Sequence, residues 1–131
     1  MKPINRKVHG IFDHLFVVVF IIAPSIFSFS SSVAIVSYIL AGIFLVVAIL
    51  TDFNLGVLDL VPVETHRLGG LFIGIVLALY AFFPAVSNEF AASLFFTGIA
   101  YVIILVNVFT DFNPDAKSVM KRSTKEDLST A

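Results

Sequence analysis

Four apolar segments separated by shorter polar stretches dominate this chain, and they constrain its fold more than any other feature. They cover residues 8–29, 33–50, 68–86 and 90–109. Each holds about 18–22 residues, and an α-helix needs about 20 apolar residues to cross the hydrocarbon core of a bilayer. The strands of a membrane β-barrel are shorter and alternate in polarity, which these segments do not. They therefore predict an all-α, polytopic membrane protein with four transmembrane helices.

The composition excludes the soluble alternatives. Of the 131 residues, 59% are hydrophobic and only 13% are charged, and the mean hydropathy is +1.04. A soluble domain this small has too much surface to bury so many apolar side chains, and a disordered chain has far fewer of them. The absence of cysteine excludes disulfides and thiolate metal sites. The lipid bilayer is thus the predicted partner, and a net charge of −1 gives no general attraction to nucleic acid.

The basic residues indicate how the helices are oriented. The links at residues 30–32 and 87–89 are short and contain no Lys or Arg. All eight basic residues lie toward the two termini or near the longer link between the second and third apolar segments. By the positive-inside rule, both termini and this longer link are cytoplasmic. We expect the first segment to be retained as a transmembrane helix, because no clear signal-peptidase site follows it.

The chain contains an internal repeat. Thr51-Asp52-Phe53-Asn54 recurs as Thr110-Asp111-Phe112-Asn113, each time where an even-numbered apolar segment ends. Val8-His9 has a counterpart in Thr65-His66, each time where an odd-numbered segment begins. Because each copy holds two spans, both copies share one orientation, and a pseudo-twofold axis along the membrane normal is expected to relate them. The prediction is two tandem helical hairpins packed as a four-helix bundle.

This repeat divides a single membrane domain, residues 1–131, into parts. Repeat 1 covers residues 8–54, a linker covers 55–65, repeat 2 covers 66–113 and a tail covers 114–131. The linker is apolar enough to lie along the cytoplasmic membrane interface. The tail mixes charges of both signs, and we expect it to be mobile and cytoplasmic.

Two stretches of the chain carry a family resemblance. His9 and Asp13 lie four residues apart at a predicted helix start, and Pro24 follows before the outer turn. The link that ends in residues 61–66 also has a distinctive sequence, Val-Pro-Val-Glu-Thr-His. Over residues 8–113 the chain resembles the bacterial SPW-repeat membrane proteins, whose units carry this His and Asp pair. The resemblance implies two repeats in a bacterial plasma membrane, and it implies no chemistry because the family has no established activity.

The chain departs from that family pattern at three positions. Ser25 stands where the family has Trp. In the second copy Gly70 replaces the Asp, and Pro84 is displaced relative to Pro24. Both prolines are expected to bend or end their helices, because each removes a helical hydrogen bond.

Five polar residues near the predicted cytoplasmic ends form the candidate site. They are His9, Asp13, Asp52, His66 and Asp111. His9 and Asp13 share a helix face because they are four residues apart. Asp52 and Asp111 meet the negative ends of helix dipoles, so we expect the histidines to compensate them. The plain interpretation is structural pairing. The alternative is a ligand site, since these side chains and His14 offer enough donors for a divalent metal, or two histidines for a haem iron.

Small residues in the third segment predict close helix packing. Gly70, Gly74 and Ala78 recur every four residues, which gives a helix a flat face that another backbone can approach. We expect an intramolecular role for this face, because a four-helix chain must bury some of its surface. In the deeper parts of the spans, Ser37 and Asn107 are expected to form interhelical hydrogen bonds.

The sequence favours a structural or interaction protein over an enzyme. It contains no nucleophile paired with a base, phosphate loop or nucleotide fingerprint. The favoured function is a membrane bundle without a resident cofactor, acting through lipids, a second copy or another membrane protein. Two alternatives stay open, an oligomeric permease for ions or small solutes and a membrane protein that binds a metal or haem. A Phe-filled centre would favour the bundle, and a cavity beside His9 and His66 would favour the alternatives.

Overall fold

The computed structural model describes residues 4–50, 63–110 and 116–130, which are mostly helical. The helices are α1 (Arg6–Ile26), α2 (Ser31–Leu50), α3 (Val63–Tyr80), α4 (Pro84–Ser87), α5 (Phe90–Phe109) and α6 (Ala116–Thr130). The described residues contain no β-strand, so the predicted all-α class is confirmed over this part of the chain. Helix α6 occupies the predicted tail, whose mobility stays a prediction.

Three helices, α1, α2 and α5, are long and apolar enough to cross a membrane. They expose large apolar side chains such as Val18, Ile39 and Leu94, each with more than half of its surface accessible. Lipid tails solvate such an exterior, whereas water does not. These helices indicate a membrane protein. Helix α3 carries Glu64 and Arg67 near its start, and the predicted fourth span remains a prediction.

Pro24 lies near the end of α1 and changes how this helix bonds to α2. Proline has no N–H, so the Phe20 carbonyl four residues earlier lacks its usual helical donor. The Ser37 hydroxyl of α2 donates to that carbonyl at 2.7 Å, and both residues are fully buried. Beyond the helix, Ser28 has a φ of 53°, and the Phe29 N–H donates back to the Pro24 carbonyl at 3.1 Å. This Schellman-type ending lets a short link turn sharply into α2.

The third apolar segment does not form one continuous helix. Helix α3 ends at Tyr80, and Phe83 is extended, with φ −65° and ψ 138°, before Pro84 begins α4. The residue before a proline is pushed out of the α region, and proline fits best at the first position of a helix. The segment at residues 68–86 is therefore divided at residues 81–83, which agrees with the expectation for Pro84.

Glu89 connects the two turns at one end of the helices. It is the N-cap residue of α5, and its Oε2 accepts a hydrogen bond at 3.1 Å from the N–H of Ser30, which precedes α2. A carboxylate is favoured at the N-terminus of a helix, and the Glu89 carboxylate lies beside the N-termini of both α2 and α5. The hydrogen bonds from Ser30 hold the pKa of the Glu89 carboxyl below its ordinary value.

Aromatic rings fill the centre, where the α1–α2 pair meets the α3–α5 pair. Phe20 of α1 and Phe96 of α5 are fully buried, with ring centroids 6.5 Å apart. Phe44 of α2 stacks on Phe20 with a centroid distance of 5.6 Å, and Phe95 of α5 contacts Phe20 edge-on with a centroid distance of 5.8 Å. Tyr80 of α3 contacts Phe96 at 5.1 Å. These ring contacts join four helices, and each adds about 0.5–1.5 kcal/mol to the effect of burial alone.

Candidate metal site

Three ionisable side chains and one hydroxyl meet where α1 and α3 begin and α5 ends. His9 and Asp13 come from α1 and share a face because they are one turn apart. His66 comes from α3, and Thr110 directly follows α5. All four are buried, with at most 7% of any residue exposed. We call His9, Asp13 and His66 the His/Asp cluster and this end of the helices the cluster end.

Backbone contacts near the N-terminus bring Thr110 to the cluster. Asn5 caps α1 through its side chain, so the helix begins at the next residue and carries His9 in its first turns. The N–H of Ile4, just before this cap, donates to the Phe109 carbonyl at 3.3 Å. This link places the start of α1 beside the end of α5, and Thr110 reaches His9 from there.

The ring nitrogens and carboxylate oxygens of the cluster form a small triangle. His9 Nε2 lies 3.3 Å from His66 Nε2 and 3.6 Å from Asp13 Oδ1. His66 Nε2 lies 3.0 Å from Asp13 Oδ2. The two imidazole rings meet edge to face, with centroids 5.3 Å apart. Both Nε2 atoms therefore point toward the same carboxylate.

The Thr110 hydroxyl determines the tautomer of His9. It donates its one hydrogen to the Val106 carbonyl, a turn earlier in α5. Its oxygen must then act as the acceptor in its contact with His9 Nδ1, which is 2.8 Å long. His9 thus carries hydrogen on Nδ1, and in the neutral ring Nε2 presents a lone pair to His66 and Asp13.

A lone pair that faces a buried carboxylate repels it unless a hydrogen atom or a cation lies between them. A proton shared with His66 meets this requirement, and so does a metal ion bound by all three side chains. Ligand atoms about 2.0–2.2 Å from a tetrahedral ion lie about 3.3–3.6 Å from one another. The two Nε2 atoms, 3.3 Å apart, match this range. His66 Nε2 lies 3.0 Å from Asp13 Oδ2 and His9 Nε2 lies 3.6 Å from the other oxygen, Oδ1. With one donor atom taken from each residue, the three donors lie within 4.8 Å of one another. Two imidazoles and a carboxylate also form a donor set that zinc and neighbouring transition metals use.

A cleft of about 180 Å³ opens beside the cluster, between α2 and α3. Its polar lining residues are Asp13, Thr65, His66 and Asn107. Ile43 and Phe44 of α2 lie on its apolar side. The cluster therefore borders open space on one side, although the centre of the helices is filled with aromatic rings.

The predicted small residues of α3 allow this arrangement. A Cβ atom on Gly70 would lie 2.5 Å from Asn107 Oδ1, and one on Gly74 would lie 2.6 Å from a side-chain carbon of Ile104. Both glycines thus face α5 at distances that leave no room for a methyl group. Ala78, the third small residue, is partly buried and packs against the aromatic core.

The other predicted site residues are distributed differently. Asp52 and Asp111 lie outside the described residues, so their predicted contacts with histidines stay predictions. His14 is not part of the cluster, and its Nδ1–H donates to the Gly10 carbonyl at 2.8 Å within α1. Thr110 was not singled out as a site residue, although it belongs to the repeated Thr-Asp-Phe-Asn sequence, which could have indicated it.

Asn107 also differs from its prediction. Its Nδ2 donates at 2.9 Å to the Ile103 carbonyl of its own helix rather than to a neighbouring helix. The His/Asp cluster and the cleft beside it are the two features from which a function is inferred. The chain matches no known family model, no curated protein and no solved structure.

Proposed function

We propose that this is a small multi-pass membrane protein that binds one divalent transition-metal ion, with zinc as the representative, in the His/Asp cluster. The observation that carries the proposal is the buried convergence of His9 Nε2, His66 Nε2 and the Asp13 carboxylate, whose donor atoms, one from each residue, lie within 4.8 Å of one another. Thr110 supports it, because a second group that holds the far ring nitrogen of a histidine ligand orients the ligand. Ion binding is proposed, not catalysis.

The proposal includes a four-helix bundle of two tandem hairpins, related by a pseudo-twofold axis along the membrane normal, as the SPW-repeat resemblance implies. His9 and His66 occupy equivalent positions in the two sequence copies and contact each other, as residues beside such an axis do. The bundle lies in a bacterial plasma membrane with both termini cytoplasmic, which the distribution of basic residues supports. In this orientation the cluster end faces the cytoplasm, from which an ion reaches it.

A second candidate is the structural or interaction bundle, in which a proton rather than a metal ion joins the cluster. The buried rings of Phe20 and Phe96 favour it, because they close the centre of the helices. The same rings disfavour a permease path through a single chain. A haem is also disfavoured, because imidazole nitrogens 3.3 Å apart leave no space for a macrocycle between His9 and His66.

Metal loading of the full-length protein tests the proposal. The protein is purified in detergent, stripped with a chelator and titrated with zinc against a competing chromogenic chelator. We expect one zinc ion per chain. Asp13→Asn and His66→Gln each remove a ligand and are expected to weaken binding by more than about 100-fold, whereas Thr110→Val removes an outer partner and is expected to cost about 10–100-fold.

His14→Gln is the matched control, since His14 lies on α1 but bonds the Gly10 carbonyl instead of the cluster. Its zinc affinity is expected to equal that of the wild type. The proposal is overturned if zinc does not bind stoichiometrically, or if His14→Gln weakens binding as much as His66→Gln does. Loss of thermal stability in Asp13→Asn without any zinc binding by the wild type supports the structural candidate instead.

A further inference from the structure

Helix α5 exposes two hydroxyl groups at a depth where lipid tails surround them. Tyr101 is 64% exposed, and Thr97, one turn earlier on α5, is also exposed. Tyr101 lies eleven residues after the start of α5 and eight before its end, which places it about 17 Å and about 12 Å from the two ends. A tyrosine side chain is too short to carry its hydroxyl from there to either membrane surface.

These two hydroxyls have no partner within the part of the chain that the structure describes. Over residues 4–50, 63–110 and 116–130, neither the Tyr101 nor the Thr97 hydroxyl makes a hydrogen bond. An unpaired hydroxyl is costly in hydrocarbon, where no water replaces the lost hydrogen bonds. Lipid tails offer no donor or acceptor, so a partner at this depth comes from another protein surface.

Gly98 lies on the same lipid-facing side of α5. Leu94, Gly98, Tyr101 and Leu105 alternate spacings of four and three residues, the pattern with which parallel helices pack side by side. A Cβ atom on Gly98 would meet no atom within 4 Å. The described residues of its own chain therefore do not require a glycine here, whereas a helix that approaches from outside gains from one.

A second copy of the chain supplies the missing partner. Two copies have the same orientation in the membrane, so two α5 helices that meet through this face are parallel and place equal residues at equal depth. Side chains on a helix lean toward its N-terminus, which brings the Tyr101 hydroxyl to the level of Thr97 in the second copy. A threonine hydroxyl accepts a hydrogen bond as well as donating one.

Helix α2 presents a similar face without such an acceptor. Tyr38 is 48% exposed, and Gly42 is as open as Gly98. The residues one turn before Tyr38 are Ala34 and Ile35, which carry no polar side-chain group. A symmetric contact through α2 thus leaves the Tyr38 hydroxyl unpaired, and α5 is the better face.

We propose that α5 joins two copies of this chain into a symmetric dimer within the membrane. The ring of Tyr101 lies over Gly98 of the second copy, and its hydroxyl donates to the Thr97 hydroxyl of that copy. A twofold axis along the membrane normal repeats the contact. The interface uses the lipid-facing side of α5, so it does not depend on the proposed metal ion in the His/Asp cluster.

Energy transfer between labelled chains in lipid vesicles tests this proposal. The full chain is labelled at its N-terminal amine with a donor or an acceptor dye, and both forms are reconstituted together at decreasing ratios of protein to lipid. A chelator in every sample prevents a metal ion from joining two chains. We expect energy transfer that exceeds random proximity, rises linearly with the acceptor fraction as a dimer requires, and falls on dilution with lipid.

Two variants test the hydrogen bond itself. Tyr101→Phe keeps the ring and is expected to weaken dimerisation by at least about threefold, the effect of one average hydrogen bond between transmembrane helices. Thr97→Val is expected to weaken it to a similar extent. Because both changes remove the same hydrogen bond, the double variant is expected to be no weaker than either single variant.

Gly98→Leu tests the close packing, and Gly42→Leu is its matched control. A Cβ on either glycine meets no atom within 4 Å, so both variants are expected to fold. Leucine at Gly98 occupies the space of the Tyr101 ring and is expected to abolish energy transfer. Gly42→Leu changes α2 instead and is expected to dimerise like the wild type.

Three results overturn the proposal. Energy transfer no greater than random proximity shows that lipid alone covers this face of α5. Loss of transfer in Gly42→Leu rather than in Gly98→Leu places the contact on α2. Full dimerisation of Tyr101→Phe shows that the hydroxyl does not select the partner.

Discussion

Ser37→Ala is expected to destabilise the protein because of a proline in a different helix. Pro24 cannot donate to the Phe20 carbonyl, and the Ser37 hydroxyl replaces that donor at 2.7 Å. Ser37 and Phe20 are both fully buried, so water cannot substitute when the hydroxyl is removed. The variant leaves a carbonyl unpaired in an apolar core and changes the packed volume very little.

The expected loss is about 1–2 kcal/mol. An unsatisfied buried acceptor costs about 1–3 kcal/mol in soluble proteins. Hydrogen bonds between transmembrane helices average about 0.6 kcal/mol and reach about 1.7 kcal/mol. A value near the upper end is expected here, because the bond is short and the Phe20 carbonyl has lost its own helical partner.

A double-mutant cycle with Pro24→Ala tests the reasoning. Alanine restores an N–H that can donate to Phe20, so Ser37→Ala is expected to cost about 1 kcal/mol less in that background than in the wild type. The free energy of unfolding is measured by titration with a denaturing detergent, followed by tyrosine fluorescence. If Ser37→Ala costs the same in both backgrounds, Ser37 does not compensate for Pro24 and the reasoning is refuted.

Two further predictions concern the ends of the helices and the cleft. Hydrogen bonds from Ser30 lower the pKa of Glu89. The ionised Glu89 carboxylate therefore stabilises the folded protein above the ordinary glutamate pKa, and this stabilisation is lost as the pH falls through the lowered pKa. The stability difference between the wild type and Glu89→Gln is therefore expected to shrink in thermal unfolding as the pH falls below the ordinary glutamate pKa, and a difference that persists in strong acid would contradict the Ser30 contact. Gly70→Ala, whose Cβ would lie 2.5 Å from Asn107 Oδ1, is expected to destabilise by about 1–3 kcal/mol. Gly98→Ala, whose Cβ meets open space, is expected to stabilise by about 0.4–1 kcal/mol, and equal effects of the two would show that Gly70 has no packing role.

Local sequence rules predicted several features of the fold. Pro84 indicated where α3 ends, and the four-residue spacing of His9 and Asp13 indicated that both share a face. These features depend on residues a few positions apart, so local patterns carry them. The role of Glu89 was missed, because its partner Ser30 lies 59 residues away and no motif connects them.

The candidate site was predicted less completely than the helices. The sequence identified His9, Asp13 and His66 as polar residues near one end, and the structure brings these three together. The predicted contacts of Asp52 and Asp111 lie outside the described residues and stay predictions. An unpartnered Asn107 oxygen was not foreseeable, since its environment depends on how closely α3 approaches α5.

The sequence by itself determined the helical class and the apolar solvent. In lipid, every backbone N–H and C=O needs a partner within the protein, and a long apolar run without alternating polarity provides these partners as a helix unless a proline interrupts it, as Pro84 does. Tertiary structure alone decided which side chains meet. His9 contacts His66 across 57 residues and Thr110 across 101, and these contacts exist only because α1, α3 and α5 pack with one particular register and rotation. Many registers bury similar apolar area, so the hydrophobic pattern does not choose among them. The glycines of α3 and the aromatic rings at the centre favour the observed register and rotation of the helices. This packing brings the His/Asp cluster together and leaves the cleft beside it.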